Sequence, residues 1–510
     1  MSPNIFGPIA VVGAVAVLMS GCSSLQNDHR KGDAFDFGGV YEDTYAGEID
    51  RTVVPRRPDG PPNIVLIIAD DLGWPYLGFL GDENVVTPNM DIIGNGGAVF
   101  EVGHSTSNHC RPTLQTLITG LYPVQYEQRA NLIADENMTT IEIPEEADTE
   151  RERNILRRQY ETSAIEQFQT LPRHLAKAGY ASHQSGKWWE QSYAHGGFTE
   201  GMTQTWDWQD ATELGDRWFF TFMGGRGNEI GRETMVPVTD FIKENAEEPF
   251  FVWYGPALPH TPLNAPDRFY KYFEDRDNLS ESAKLYYANI AWFDWGVGKL
   301  LDSLREERVL DNTLIVYIND NGWEQAGDVE YADNHITFAN GGPRGKGSFF
   351  ETGFRTPIIF YWRGKITAIR DQQQLASALD VMPTILDYAG LEIPSELPGY
   401  SLRPAIEGHG LDAPRKAFIG KMTQHRAGTN FRGQQDDTTK DHMGAALDGY
   451  YRRDLAWHFV WLPQKDEVAL YNLTDDPGQL VDVSESNEDL VTRFKADIIT
   501  WQETYERRTQ

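Results

Sequence analysis

The chain has 510 residues, a formal net charge of −31, 40% hydrophobic residues and two cysteines. This length allows one large core and a smaller second domain, and the composition is that of a globular protein. The acidic balance excludes sequence-independent nucleic-acid binding, which requires a basic surface, and an anionic substrate would need a local positive pocket.

An apolar run at residues 9–19 is followed by Ser-Gly-Cys-Ser-Ser at 20–24. The run is too short to span a membrane and is similar to a bacterial lipoprotein signal peptide, residues 1–21, with lipid attached to Cys22. No Lys or Arg precedes the run, and the alternative is a buried apolar segment. Residues 22–60 are polar and predict a linker. We therefore expect an exported protein that contacts membrane only through a lipid anchor, at the periplasmic or outer face of the bacterial outer membrane.

Four apolar runs predict buried strands, at residues 63–69, 250–254, 312–318 and 358–362. Helical periodicity indicates helices between and after them, including 286–304, 380–391 and 487–506. Strands that alternate with helices predict an α/β fold, with a large, mostly parallel sheet flanked by helices over residues 61–410. The less regular pattern of residues 411–510 predicts a smaller α+β domain.

Polar side chains follow two of these strands. Asp70 and Asp71 come directly after the first strand, and Asp320 and Asn321 follow the third. A single Asp in such a place is usually a turn or helix cap. Two strands that end this way favour a shared cation site at the carboxyl edge of the sheet. Oxygen ligands alone suit Ca²⁺, and after it Mg²⁺, rather than zinc.

The second cysteine precedes a predicted helix that has Pro112 in its first turn and Gly120 at its end. Cys110 would face free backbone N–H groups and the positive end of the helix dipole, where a side chain can act on an anion. The alternative is a buried structural cysteine. If Cys22 carries lipid, Cys110 is the one thiol left in an exported protein, which favours a chemical role.

Lys187, His260 and Lys346 each adjoin a predicted strand end or a Gly-rich turn. Taken singly, each lysine would be a solvated charge and the histidine structural. Together with Cys110 and a cation they suit an anionic ester, because lysines stabilise charge on non-bridging oxygens and His260 protonates a leaving alcohol.

Two further stretches are interpreted as structural. Residues 131–165 are strongly charged and predict a surface insertion of solvated helix or loop without a site. Trp206, Trp208 and Trp218 fit core packing better than stacking on sugar rings.

With these motifs in order, the chain resembles the formylglycine-dependent (type I) sulfatases of the alkaline phosphatase superfamily over about residues 61–485. The matching blocks are Pro-Asn-Ile-Val-Leu-Ile-Ile-Ala-Asp-Asp (62–71), Cys-Arg-Pro-Thr with Leu-Ile-Thr-Gly (110–120), Ala-Gly-Tyr with Gly-Lys-Trp (178–188), Pro-His-Thr-Pro (259–262), Asn-Asp-Asn-Gly (319–322), Gly-Lys-Gly-Ser-Phe-Phe-Glu-Thr-Gly-Phe-Arg-Thr-Pro (345–357) and Leu-Tyr-Asn-Leu-Thr-Asp-Asp-Pro (470–477).

The resemblance implies an alkaline-phosphatase-like fold. It implies that a formylglycine-generating enzyme oxidises Cys110 to formylglycine (3-oxoalanine), whose hydrate attacks sulfur. The same resemblance makes Asp70, Asp71, Asp320, Asn321 and that hydrate the Ca²⁺ ligands. Lys187 and His260 would assist the leaving alcohol, and Lys346 would hold a sulfate oxygen.

Two positions depart from the family pattern. The motif Cys-x-Pro-Ser/Thr-Arg here has Leu114 at the arginine position, for which Arg111 is a candidate substitute that points elsewhere on a helix start. The motif Gly-Lys-Trp-His here ends in Trp189, and the histidine is associated with sulfate release. The candidate replacements are His109, His183, His195 and His335.

The leading hypothesis is a sulfatase that acts on a sulfated carbohydrate, such as a polysaccharide fragment. A second hypothesis keeps the fold and changes the ester, to a phosphate or phosphonate. A third is a non-catalytic homologue that binds sulfated glycans.

Overall fold

The computed structural model describes residues 56–57, 60–140, 149–207, 209, 211, 221–323, 344–424, 432 and 447–506. Cys22, Trp208, Trp218 and His335 lie outside these residues, as do the predicted signal peptide and almost all of the predicted linker. Within the described ranges, no helix is long and apolar enough to cross a membrane.

A nine-stranded sheet forms the larger part of the molecule. Its strands are β1 Asn63–Ala69, β2 Ala98–His104, β3 Ala181–Gly186, β4 Glu200–Gly201, β5 Phe250–Gly255, β6 Thr313–Asn319, β7 Arg355–Tyr361, β8 Ile369–Asp371 and β9 Ala376–Ser377. The spatial order is β4-β3-β5-β1-β6-β7-β2-β8, with β9 beside β2. All pairs are parallel except those of β7, which runs antiparallel to β6 and β2. The predicted mostly parallel sheet is confirmed.

The helices of the described chain cover both faces of this sheet and support the second one. They are α1 Pro88–Gly96, α2 Cys110–Thr119, α3 Pro123–Thr140, α4 Glu150–Ser163, α5 Leu171–Ala176, α6 Val236–Glu244, α7 Asp267–Tyr270, α8 Glu281–Glu306, α9 Ala378–Tyr388, α10 Arg403–Ile406 and α11 Glu488–Tyr505. Short 3-10 turns lie at Gly78–Leu80, Ala164–Gln167, Gly225–Glu229, Leu310–Asn312, Glu351–Gly353 and Ser484–Ser486.

Strand β1 is buried along its whole length because helices pack on both of its faces. Ile64, Leu66 and Ile68 face one apolar cluster, which includes side chains of α2, α5 and α9. Val65 and Ile67 face the other cluster, which includes side chains of α1, α6 and α8. The two-residue period of a strand thus sends alternate side chains into two cores.

A four-stranded antiparallel meander forms the smaller C-terminal sheet. Its strands are β10 Phe418–Gln424, β11 Leu447–Arg453, β12 Trp457–Leu462 and β13 Glu467–Asn472. Phe494, Ile498 and Trp501 of α11 pack against one side of it. A further cluster, which includes Phe354 and Phe418, joins it to the large sheet.

The described part of the charged stretch 131–165 is helical, one of the two predicted forms, but it is less solvated than predicted. It forms the end of α3 and all of α4, and Ile155 and Leu156 of α4 are buried in the core. The apolar side chains lie at helical spacing among charged ones, so α4 packs on the domain as an amphipathic helix. The expectation for Trp206 is confirmed, since it is buried among core residues.

Candidate active site

The strand register brings the predicted cation ligands together at the carboxyl edge of the large sheet. Strands β1 and β6 are paired from Asn63–Thr313 to Ala69–Asn319, so Asp70 and Asp320 follow at the same level. The backbone N–H of Asp71 donates to Asp320 Oδ1 at 3.0 Å, and Asn321 Nδ2 donates to Asp71 Oδ1 at 2.6 Å. Asp71 has a φ of 63°, which is uncommon for a residue with a side chain and recurs at functional sites.

Cys110 is the first residue of α2, and His109 is the N-cap. The predicted helix end is confirmed, since Gly120 follows α2 with a φ of 71°. The Cys110 thiol is 4% exposed and lies 3.5 Å from Asp70 Oδ1 and 3.8 Å from Asp71 Oδ1. This sulfur marks where a modified side chain would stand.

Two lysines and a histidine surround the thiol. Lys187 Nζ lies 2.6 Å from Asp70 Oδ2 and 3.4 Å from Cys110 Sγ. Lys346 Nζ lies 2.8 Å from Asp71 Oδ2, and His260 Nε2 lies 3.6 Å from the same oxygen. His260 Nδ1 is 2.6 Å from the Thr261 carbonyl, an arrangement in which Nδ1 carries the proton and Nε2 faces the site.

A glycine at the end of β3 positions Lys187. Gly186 has a φ of +88°, and a Cβ there would lie 1.8 Å from the Gly255 carbonyl oxygen. The same carbonyl accepts the Lys187 backbone N–H at 2.7 Å. The close approach of β3 and β5 therefore requires glycine in the motif Gly-Lys-Trp.

The electrostatics of the site are those of crowded, buried charges. Burial raises the pKa of Asp70 to about 7, against the opposing effect of Lys187. Burial acts to raise the pKa of Asp71 as well, but Lys346, His260 and Lys187 hold it well below its usual range. Burial and the nearby Asp320 raise the pKa of the Cys110 thiol, so the unmodified thiol is a poor nucleophile here.

The donor set fits a hard divalent cation. One ligand atom each of Asp70, Asp71, Cys110 and Asp320 lies within 4.8 Å of the others. Within the described residues, Asn321 Oδ1 is buried without a hydrogen-bond partner, and a cation would satisfy it. Three buried carboxylates and an amide oxygen form a site for an oxygen-seeking ion such as Ca²⁺.

A cavity of about 570 Å³ opens above the thiol. Its floor includes Cys110, Lys187, His260 and Lys346, so the structure brings every predicted catalytic and substrate-binding residue to one surface. The C-terminal sheet and α11 line its far side with Lys421, Met422, Thr423, Asp448 and Trp501. Arg158 of α4 also lines it, so the expectation that residues 131–165 take no part in a site is wrong.

The two departures from the family motif have structural counterparts. Leu114 is buried in the apolar core. The guanidinium of Arg111 pairs with Glu190, and its Nε and Nη2 donate to the two carboxylate oxygens at 2.7 and 3.0 Å. Gln115 and Tyr126 also donate to Glu190, at 3.0 and 2.8 Å. This buried carboxylate thus ties the Cys110 helix to the segment that carries Lys187.

Trp189 lines the cavity and packs edge-on against Phe222, with ring centroids 4.9 Å apart. Of the histidines considered as replacements, His109 lines the cavity. His183 pairs with Glu200 at 2.9 Å, and His195 Nδ1 lies 2.8 Å from Ser192 Oγ. Neither of these two belongs to the cavity lining.

Sequence reasoning missed Glu190, Arg158 and the contribution of the C-terminal sheet. Glu190 is 79 residues from Arg111, and no spacing pattern indicates such a pair. The one available signal was the position of Glu190 directly after Gly-Lys-Trp-Trp.

Two family models match the chain. The sulfatase model matches residues 62–391, and the model of the N-sulphoglucosamine sulphohydrolase C-terminal region matches residues 344–504. Human N-acetylgalactosamine-6-sulfatase is 28% identical over 405 residues, which cover 72% of this chain and 71% of that protein.

Solved structures show the same fold. Ps i-CgsB in complex with k-i-k-neocarrahexaose has a TM-score of 0.63 and 24% identity, covering 88% of this chain and 94% of that one. The phosphonate monoester hydrolase of Agrobacterium radiobacter has a TM-score of 0.59 and 18% identity, covering 87% and 96%. The predicted alkaline-phosphatase-like architecture, with its smaller C-terminal sheet, is confirmed.

The sulfatase model covers well over half of the chain, and the residues on which the resemblance rested meet in one site. The chain belongs to the sulfatase family and is a sulfuric ester hydrolase.

Proposed function

We propose that this protein hydrolyses sulfate esters on a sulfated carbohydrate, with Cys110 converted to formylglycine and Ca²⁺ bound beside it. The observation that carries the proposal is the convergence of Lys187 and Lys346 on the Asp70–Asp71 pair at the floor of the cavity, next to the Cys110 sulfur. With a divalent cation bound among Asp70, Asp71 and Asp320, these charges and the two lysines would sum to a positive site where a sulfate group would enter a strongly acidic protein.

The chain's own residues bind and orient the ester. Lys187 and Lys346 would each hold a sulfate oxygen and stabilise the charge that grows on it as the ester bond breaks. The Nε2 of His260 faces the same space, and it would deliver a proton to the leaving alcohol from the imidazolium form of the ring, in which Nδ1–H still donates to the Thr261 carbonyl. Lys187 and Lys346 are largely buried, so little water screens their charges and each interaction with the ester is strengthened.

Residues of the described site could hold the cation and carry the formylglycine of this proposal. Asp70, Asp71, Asp320 and Asn321 would hold the cation, which supplies Lewis-acid stabilisation of negative charge. Formylglycine at position 110 supplies an oxygen nucleophile in place of a thiol whose pKa is raised by burial. The Glu190 network holds the helix that carries this residue.

A sugar ester is favoured by the cavity and by the relatives. Aromatic side chains of loops and of α11, together with charged side chains, line a space large enough for a saccharide. The human relative is named for N-acetylgalactosamine 6-sulfate chemistry, and a structural neighbour was solved with a neocarrahexaose.

Export and maturation belong to the proposal as well. The lipoprotein-like segment around Cys22 supports an exported chain anchored by lipid at the bacterial outer membrane, periplasmic or surface-facing. Formylglycine requires a formylglycine-generating enzyme as a maturation partner, and Leu114 means that this enzyme must accept a motif without its arginine.

The competing ester is a phosphate or phosphonate, since the same architecture occurs in a phosphonate monoester hydrolase. Matched aryl sulfate and aryl phosphate esters decide between them, with kcat/KM measured on wild type and on Cys110→Ala. We expect preference for the sulfate ester and loss of its hydrolysis in the variant. Preference for the phosphate would overturn the proposal. Glycan binding without hydrolysis of either ester would contradict the proposal and point to a non-catalytic homologue.

A further inference from the structure

Two arginines flank one aromatic ring on the cavity wall. The guanidinium carbons of Arg111 and Arg158 lie 5.8 and 5.6 Å from the centre of the Phe222 ring. Phe222 in turn packs against Trp189, next to Lys187. The arginine pair therefore stands beside the site of ester cleavage, on the wall formed by α2 and α4.

Each guanidinium keeps donors beyond its acidic partner. Arg111 uses Nε and Nη2 for Glu190, and its Nη1 takes no part in that pair. Arg158 uses Nη1 for Glu161 at 2.7 Å, and its side chain is 30% exposed. A guanidinium has five N–H donors in a planar fork, and that fork fits carboxylate and sulfate oxygens.

The two positive charges also influence each other. Burial, together with the neighbouring charge of Arg111, lowers the pKa of Arg158 although Glu161 opposes this. Five Lys or Arg side chains line the described cavity, and they outnumber the two carboxylates in the lining, those of Glu127 and Asp448. In a protein of net charge −31, such a wall attracts an anion with more than one negative group.

We propose that Arg158, supported by Arg111, forms a second anion subsite that binds a carboxylate or a second sulfate on the saccharide whose sulfate ester is cleaved. The preferred substrate then carries two anionic groups, one at Lys187 and Lys346 and one at the arginine pair. This inference rests on the proposed function and specifies its substrate class.

The test uses three matched saccharides: one with a single sulfate ester, one with an added sulfate and one with an added carboxylate. We expect wild type to favour at least one of the doubly charged compounds by about 10- to 100-fold in kcat/KM, the range of a charge-assisted hydrogen bond. Arg158→Gln should remove most of that preference, mainly through KM. Whichever added group gives the larger preference identifies the natural one.

The control is Arg157→Gln, since Arg157 pairs with Glu161 at 3.1 Å and with Asp135 but does not line the cavity. It should keep the wild-type preference. Equal kcat/KM for all three saccharides in wild type, or a preference that Arg158→Gln retains, would overturn the inference. If no saccharide is hydrolysed, the proposed hydrolytic function is wrong, whereas the anion subsite is still tested by binding. Calorimetry then measures the affinity of the same three compounds for wild type and Arg158→Gln. Tighter binding of a doubly charged compound to wild type, lost in Arg158→Gln, supports the subsite, and equal affinities overturn it.

Discussion

The Lys187 ammonium lies 3.4 Å from the sulfur of Cys110 and 2.8 Å from Asp70 Oδ1, between the precursor of the nucleophile and a candidate cation ligand. Asp70 and Cys110 raise the pKa of Lys187 although burial opposes this, so the lysine stays charged. One side chain can thus compensate buried negative charge in the resting site and meet the sulfate during catalysis.

Lys187→Met should lower kcat on an aryl sulfate by about 100- to 1,000-fold, the usual loss when a buried group that stabilises transition-state charge is removed. Lys243→Ala, at an exposed position on α6, is the control and should behave as wild type. Activity within a few-fold of wild type in Lys187→Met would show that this lysine compensates buried charge and does not act on the ester.

Removal of divalent cations should lower the thermal midpoint, because Asp70, Asp71 and Asp320 are then left buried together. Ca²⁺ at about 100 times its dissociation constant should return about 2.7 kcal/mol of stability. Mg²⁺ should return less at equal concentration. Asp320→Asn should lose most of the response, whereas Asp240→Asn, exposed on α6, should keep it. A midpoint that does not respond to either ion would contradict a cation site.

Glu190→Gln should destabilise the protein, because it removes the charge that Arg111, Gln115 and Tyr126 contact. Breaking a buried ion pair costs about 3 to 5 kcal/mol. The double variant Arg111→Met/Glu190→Gln should recover part of this stability, since no unpaired charge remains, but kcat should stay low if the pair positions the Cys110 helix. Full recovery of kcat together with stability would show that the pair only supports the fold.

Acidification should lower the free energy of unfolding through two histidines that are buried where the two sheets meet. His104 Nε2 lies 3.2 Å from Glu351 Oε1, and Arg453 pairs with the same carboxylate. Burial lowers the pKa of His104 to about 3 and that of His458 to about 4. Histidines of the unfolded chain titrate near pH 6.5, so the unfolded state takes up protons first, and stability falls as pH drops from about 6.5 towards 4.

The urea midpoint measured at several pH values in that window checks this expectation. His458→Gln should show a shallower decline than wild type, because one of the two buried neutral histidines is removed. If the urea midpoint falls equally steeply with pH in wild type and in His458→Gln, groups other than His458 cause the acid sensitivity.

The apolar runs predicted both the strands and the place of the cation ligands. Asp70 and Asp320 follow strands that are buried on both faces, and the parallel register alone brings such residues together. Cys110 was predicted at a helix start because Pro112 and Gly120 bracket the helix, and the structure places it at the first position of α2.

Other parts of the site depend on contacts that no local pattern encodes. Glu190 and Arg111 are 79 residues apart and meet only through the tertiary fold, and the spacing of charged residues in α4 does not show that Arg158 faces a cavity. Lys421 and Asp448 lie on antiparallel strands, 3.1 Å apart, and alternation along a strand does not tell which face meets another sheet.

The central claim is that Cys110 becomes the nucleophile although Leu114 occupies the arginine position of the motif. Intact-peptide mass spectrometry across Cys110, on protein expressed in its native host, tests this most directly. The account predicts a peptide mass in which the thiol is exchanged for an aldehyde. An unmodified cysteine, in protein that releases no sulfate from any ester tested, would contradict it.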